Sequence, residues 1–310
     1  MTITAAIIGA TGNQGGSVLR SLHTTGKYKL IAITRNTSSA AAKEIKAKYP
    51  DVELAAANVD DIESLKKAFK GADFVFGMTQ FFQPEVMGKI EAGNLDVEYN
   101  QGKNIVDAAI DAGVKDVIFS TLPSMKEISG GKYTKVYHFE GKHKIEEYLL
   151  KSKADKIRGA AVRLGCFMDN YVNFSRISPE DNETVEFIIP LPPTKLLPLV
   201  DATNDTGIVV SYMLDNFDRF VGKSVDVSSG YYEAQEMVNA FKDVTGKPAC
   251  YIQIPHADLN EEMEQMFLGI KEFELYDSDA KLLAFNKKLE SKLTTPVEFW
   301  KNNGWTGPSQ

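Results

Sequence analysis

Six short apolar runs punctuate the first half of the chain, at residues 3–8, 29–34, 52–57, 73–78, 114–119 and 158–164. Each has the length of a strand and the continuous apolar character of one buried on both faces. Between them, apolar residues recur at helical spacing over 17–22, 38–49, 62–69, 97–112 and 136–151. Strands alternating with helices need crossover connections, which predicts an α/β fold built on a doubly wound parallel sheet. Segment 83–96 carries Pro84, Gly88 and Gly93 without clear periodicity and is expected to be a mobile flap. Past residue 165 the pattern changes. Prolines punctuate 188–193 and 197–198, which reads as edge or loop segments. A helix over 201–214 and a strand over 224–227 follow, then helices at 233–244 and 258–270 with a strand at 249–254 between them. The expectation is a first domain over 1–165 and a smaller α+β domain over 166–310. The second returns one helix and strand, about 201–229, to the first, and lies over the carboxyl ends of its strands.

The first apolar run leads straight into Gly9-Ala10-Thr11-Gly12-Asn13-Gln14-Gly15-Gly16, and a helical pattern ending at Gly26 follows. Strand, glycine turn and helix form the context of a Rossmann dinucleotide fingerprint. Gly9 permits a tight turn, Gly12 lets backbone approach a pyrophosphate, and Gly15 lets the helix pack on the strand. Phosphates would sit on the free N–H groups at the helix N-terminus. The spacing GxxGxxG suits extended and atypical short-chain dehydrogenase folds. At the end of the second run, where an NAD-selective fold places a carboxylate, residues 30–39 contain none. Arg35 stands there instead and points to the 2′-phosphate of NADP, with a solvated surface arginine as the alternative. Asp60 or Asp61 can cap the helix beginning at residue 62, and Thr79 and Gln80 fall at the carboxyl end of the fourth run, where doubly wound sheets bind ligands.

The bulk properties narrow the partners. A charge of −7 with no basic stripe disfavours direct binding of DNA or RNA. Cys166 and Cys250 are too few for a disulfide framework or a metal site, so no metal is expected and a reducing compartment is the simplest setting. No secretory signal and no apolar run near the roughly 20 residues of a membrane span are visible. The expected location is the cytoplasm, with the nucleus as a second.

Short-chain dehydrogenases keep Tyr-x-x-x-Lys on the helix after the fifth strand. There the lysine charge lowers the phenol's pKa for proton exchange with a carbonyl oxygen. Here Lys142 is present, but four residues earlier stands His138; Tyr137 is one position off, about 100° around the helix. His138 could shuttle a proton, since imidazole titrates near neutrality, or be packed near the site. Ser120, at the end of the fifth run, is the other candidate acid. Phe81, Phe82, Phe167, Met168, Met263, Met266 and Phe267 are candidates to line a ligand cleft, with ordinary core as the alternative for each.

Together the glycine turn, Thr34-Arg35-Asn36, Ser120-Thr121-Leu122-Pro123, His138-Phe139-Glu140-Gly141-Lys142, Val162-Arg163-Leu164 and Thr295-Pro296-Val297-Glu298-Phe299-Trp300 resemble the NmrA-like family over nearly the whole chain. The resemblance implies NAD(P) binding without a complete Ser-Tyr-Lys triad, and regulation through partner proteins. Its implied cofactor set is Gly9, Thr11, Gly12, Asn13, Gln14, Gly15, Arg35, Asp61, Thr79, Gln80 and Lys142, with Phe167 and Asn170 in a segment that wraps the nicotinamide end. The expected cofactor is NADP(H) rather than NAD, and the expected role is a redox-responsive regulator with an unidentified protein partner. The family also includes quinone and enone reductases, so an NADPH-dependent oxidoreductase of quinones or other electrophilic carbonyls is the alternative, with Lys142, His138 and Ser120 as its catalytic candidates and a small-molecule substrate. The sequence leaves the oligomeric state open.

Overall fold

A computed structural model describes residues 2–276, 279–289 and 291–308. The chain divides into two compact units. The first comprises Met1–Ser124, Tyr137–Arg163 and Thr206–Val225; the second comprises Met125–Val136, Leu164–Asp205 and Asp226–Gln310.

The first unit is built on a parallel sheet. Its strands are β1 (Ile3–Ile8), β2 (Tyr28–Thr34), β3 (Glu53–Ala56), β4 (Phe74–Gly77), β5 (Asp116–Thr121) and β6 (Arg158–Leu164), with Ser224–Val227 beside β6 as the seventh. In space the order is Ser224–Val227, β6, β5, β4, β1, β2, β3. The chain runs outward from β1 in one direction, then returns and runs outward from β4 in the other. The carboxyl ends of β1 and β4 therefore flank the switch point, where such sheets bind ligands. The register between these neighbours runs from Ala5 opposite Phe74 to Ile7 opposite Phe76.

Helices α1 (Asn13–Thr25), α2 (Ala40–Lys48), α3 (Ile62–Ala68), α4 (Pro84–Glu91) and α5 (Val97–Asp111) follow the first four strands, and Tyr137–Glu147 follows β5. One core runs under α3, α5 and Tyr137–Glu147, through Ile31, Ile33, Leu65, Phe69, Val75, Ile105, Val106, Phe119, Ile145 and Leu149, all nearly water-free. Gly102 lets α5 approach Ile145: a Cβ there would lie 2.3 Å from that side chain. Gly26 ends α1 in the left-handed region at φ 66°, as its position in the pattern predicts.

Two local expectations are corrected. Segment 83–96 contains a helix, α4, with Pro84 in its first turn. Val86 and Ile90, one turn apart, pack with Phe81 and Val97. The pair gives too short a pattern to register against Gly88 and Gly93. Pro198, read as edge or loop, lies in the middle strand of a three-stranded sheet of the second unit, Gly230–Glu233, Leu196–Val200 and Cys166–Phe167. It faces Tyr231 on one side, while the two-residue strand Cys166–Phe167 pairs only with Leu199 and Val200. At Pro198 itself the strand is thus locally an edge, so its missing N–H is tolerated.

The second unit has a further sheet, Ala249–Gln253, Val185–Ile189 and Ser175–Ile177. Its core is aromatic: Phe187, Phe241 and Trp300 meet at ring separations of 5.2–5.8 Å, and Trp305 stacks on Trp300. The buried Trp300 Nε1–H donates to the Met237 carbonyl at 2.8 Å. Thr295 caps the last helix, Pro296–Asn303, in a capping box with Glu298. Among the described residues, no helix is long and apolar enough to cross a membrane.

Candidate functional site

The turn after β1 is shaped by its glycines. Gly9 adopts φ +68°, and its carbonyl accepts from Gly12 N–H at 2.8 Å. A Cβ at Gly15 would stand 2.4 Å from the Gly9 oxygen and 2.5 Å from the Ile8 oxygen, so only glycine lets α1 start this close to β1. Gly12 is the N-cap of α1; no side chain caps it, and no acid lies in the first turn. The positive end of the helix is thus left for a ligand. Gln14 Oε1 is buried without a hydrogen-bond partner among the described residues. The glycine turn and the uncapped helix start fit a dinucleotide pyrophosphate, with Gly12, Asn13, Gln14 and Gly15 placed to receive it on backbone N–H groups, while the Gln14 side-chain oxygen, an acceptor, is no part of that fit; Thr11 is exposed on the same turn.

The segment after β4 closes over this turn. A Cβ at Gly9 would lie 2.8 Å from Met78 Sδ, and one at Gly12 would lie 4.0 Å from Gln80 Nε2. Arg35, exposed just beyond β2, donates to Gln83 Oε1 at 3.3 Å, and Gln83 is the N-cap residue of α4. The turn, the arginine and the 78–83 segment are therefore neighbours. Asp61 caps α3, accepting from Glu63 N–H and Ser64 N–H at 3.1 and 3.2 Å. The capping role weighed in the sequence is the one seen; Asp60 instead accepts from Gln101 at 3.1 Å.

His138 and Lys142 share one face of the helix Tyr137–Glu147 but have different surroundings. The His138 ring is buried among Phe81, Phe82 and Phe139, at centroid separations of 5.0–5.4 Å. This matches the packed alternative for the histidine. Phe82 is exposed and Phe81 is core. Lys142 is ion-paired with Glu98, in the first turn of α5, which also accepts from Thr79 Oγ1 at 2.8 Å. Two candidate cofactor residues thus converge on a carboxylate that sequence reasoning missed. Glu98 reads in sequence as an ordinary acid near a helix N-terminus; only the packing shows it to be 1% exposed. Gln83 was also missed, being one more polar residue in a segment without clear periodicity.

Ser120 is buried at the end of β5. Beside it, Thr121 donates at 2.6 Å to Glu146, which also receives Arg163 Nε at 2.9 Å and Ser224 Oγ at 2.7 Å. Burial would raise the Glu146 carboxyl, but Arg163, Thr121 and Ser224 hold it below the ordinary glutamate range. This cluster ties β5, β6 and Ser224–Val227 to the helix Tyr137–Glu147. Phe167 and Asn170 belong to the second unit, Phe167 in a two-residue strand and Asn170 exposed in the helix Asp169–Asn173. Of the cleft candidates there, Met168 and Phe267 are buried, and Phe167, Met263 and Met266 partly so.

A glycine turn feeding an uncapped helix, at the switch point of a doubly wound parallel sheet, places the protein among Rossmann-type α/β proteins. Comparison with known proteins narrows the class. The chain belongs to the NmrA-like family, whose sequence profile matches residues 1–300. One relative is an NmrA-like family domain-containing oxidoreductase, FrzB, of Cladobotryum sp, 30% identical over 264 residues that cover 81% of this chain and 76% of the relative. Among solved structures, the negative transcriptional regulator NmrA in complex with NADP superposes at TM-score 0.77 with 20% identity, covering 96% of this chain and 94% of NmrA. A trigonal form of that regulator in complex with NAD superposes at TM-score 0.75 and 19% identity, covering 98% of this chain and 99% of the other. The NADPH-dependent quinone oxidoreductase of Escherichia coli, complexed with NADPH, gives 0.72 and 19%, covering 97% and 99%. At these identities the structural likeness establishes the fold.

Proposed function

We propose that the protein binds NADP(H) on the turn Gly9–Gly15 and works as a redox-responsive regulator through a protein partner. The observation that carries the cofactor reading is the uncapped, acid-free start of α1 behind a turn that only glycine can form. Arg35 favours the 2′-phosphate, and no carboxylate in 30–39 competes for the ribose. Bound there, the cofactor would supply a nicotinamide ring able to hold or give up a hydride. The chain's own residues give that ring little help with proton transfer. The tyrosine is absent, His138 is enclosed by rings, and Lys142 is neutralised by Glu98. This supports binding over turnover.

Regulation requires that the cofactor prefer one of two conformations. The segments proposed to move are 83–96 and 167–170, the first because Gln83 touches Arg35 and would feel a phosphate arriving there. The reading carries a cytoplasmic location, with the nucleus as a second, which agrees with two unpaired cysteines. The second reading, an NADPH-dependent reductase of quinones or other electrophilic carbonyls, is favoured by the oxidoreductase name of the 30% identical relative. Lys142 and Ser120 would then place the cofactor and donate the proton, with His138 as the other donor.

Two assays separate the readings. Hydrogen exchange with and without NADP+ and NADPH should show altered protection across 83–96, and NADPH with a quinone panel should show no sustained oxidation. Unchanged exchange there removes the regulatory mechanism. Steady oxidation that is lost in a folded Lys142→Ala variant establishes the reductase.

A further inference from the structure

We infer that Glu98 is a positioning residue of the cofactor site, holding the Lys142 ammonium and the Thr79 hydroxyl in one fixed arrangement. The inference rests on the cofactor reading above and extends it to a residue outside the sequence-derived set. Three separate segments meet at this carboxylate: Thr79 after β4, Glu98 on α5, and Gly141-Lys142 on the following helix.

The arrangement is unusual on grounds of burial. Glu98 is 1% exposed on a helix whose other buried positions include Val97, Gly102, Ile105 and Val106. A buried carboxylate is retained only where a cation or hydrogen bonds compensate for lost water. Here Lys142 provides the charge and Thr79 one hydrogen bond, while Oε2 is left without a partner among the described residues. That oxygen also dictates its neighbour, since a Cβ at Gly141 would lie 2.9 Å from it. An apolar residue at 98 would fill this space without an incompletely satisfied charge. The acid is explained by what it does to Lys142, whose side chain is 14% exposed.

An ammonium has three donors, and Glu98 engages one. Its flexible stem is thereby fixed, and the other donors remain for a ligand. The pair carries no net charge. Lys142 therefore acts on a bound nucleotide as a placed hydrogen-bond donor to the nicotinamide ribose, rather than as a free positive charge that would activate a proton donor.

The test compares binding of NADP+ with that of adenosine 2′,5′-bisphosphate, which carries the adenine half and lacks the nicotinamide ribose. Glu98→Gln still accepts from Thr79 through its amide oxygen, but removes the charge that holds the Lys142 ammonium in place. By calorimetry at pH 7, Glu98→Gln should bind NADP+ at least about fivefold more weakly than the wild type. The bisphosphate should bind both proteins alike. In a Lys142→Met background, Glu98→Gln should have no further effect on the ratio of the two affinities. Equal loss of both ligands would show a structural role only and overturn the inference, as would NADP+ binding by Glu98→Gln as tight as that of the wild type. If Glu98→Gln does not fold, competitive acetylation of the wild type decides: Lys142 should react far more slowly than the exposed Lys43 and Lys70, and equal reactivity would overturn the pairing. Failure of the unsubstituted protein to bind NADP+ would instead overturn the cofactor reading itself, and appears without any variant.

Discussion

Gly12→Ala separates what the fold needs from what a ligand needs. Gly12 sits at φ −107° and ψ −175°, an extended conformation open to any residue. A Cβ there would lie 3.4 Å from the Gly9 oxygen and 4.0 Å from Gln80 Nε2, which is ordinary contact. Restricting the unfolded chain should stabilise by about 0.4–1 kcal/mol. Alanine is a poorer N-cap than glycine by roughly 0.5 kcal/mol. The two nearly cancel, so the melting temperature of the ligand-free protein should change by no more than about 1–2 °C. A pyrophosphate on the α1 N-terminus, however, must occupy the space of that methyl. Overpacking of this kind costs about 1–3 kcal/mol, or about 5–150-fold in Kd. Differential scanning fluorimetry gives the first quantity and calorimetry with NADP+ the second. Gly15→Ala is the contrast: its Cβ would meet fixed backbone atoms at 2.4–2.5 Å, so the fold itself should lose stability. A Gly12→Ala protein with wild-type melting and wild-type NADP+ affinity would refute the placement of the phosphates.

Other consequences follow from the same geometry. Arg35→Ala should weaken NADP+ by about 1–2 kcal/mol, roughly tenfold, and leave NAD+ nearly unchanged, as competition binding would show. Glu146→Ala removes the buried carboxylate on which Arg163, Thr121 and Ser224 converge. It should cost about 3 kcal/mol, near 6 °C in melting temperature. Because the folded-state Glu146 carboxyl is depressed, its contribution is present above the unfolded value of about 4.3 and is lost as pH falls through the folded one. The gap between wild type and variant in urea midpoints should therefore close in acid. Asp205 should behave oppositely. Burial pushes its carboxyl up to about 6, against hydrogen bonds from Thr294 and the Asp201 N–H. Stability tied to its proton is full below about pH 4 and is lost as pH rises through the folded value. Relative to Asp205→Asn, the wild type should lose stability over that interval and level off above it.

What the sequence disclosed was mostly local. The turn Gly9–Gly16 could be read because strand, turn and helix are contiguous and each glycine answers a nearby backbone constraint. The six strand runs were legible because burial on both faces leaves an unbroken apolar signature. Glu98 was not, since its meaning depends on Thr79 and Lys142, 19 and 44 residues away along the chain. Helix α4 was hidden because its apolar pair is short and lies beside glycines. The assignment of Met125–Val136 to the second unit rests on contacts distant in sequence, such as Lys132 with Glu272, which no local pattern encodes. Pro198 misled for the opposite reason. Proline constrains only its own position to an edge, not the whole strand.

The glycine turn and Arg35 together should hold an NADP-type dinucleotide. Calorimetric titration of the intact protein with NADP+, NADPH and NADH in parallel tests it most directly. Saturable one-site binding of the two phosphorylated cofactors, tighter than that of NADH, is the expected result. Absence of binding by all three to the folded protein would contradict it, and equal affinity for NADH would remove Arg35 from its assigned role.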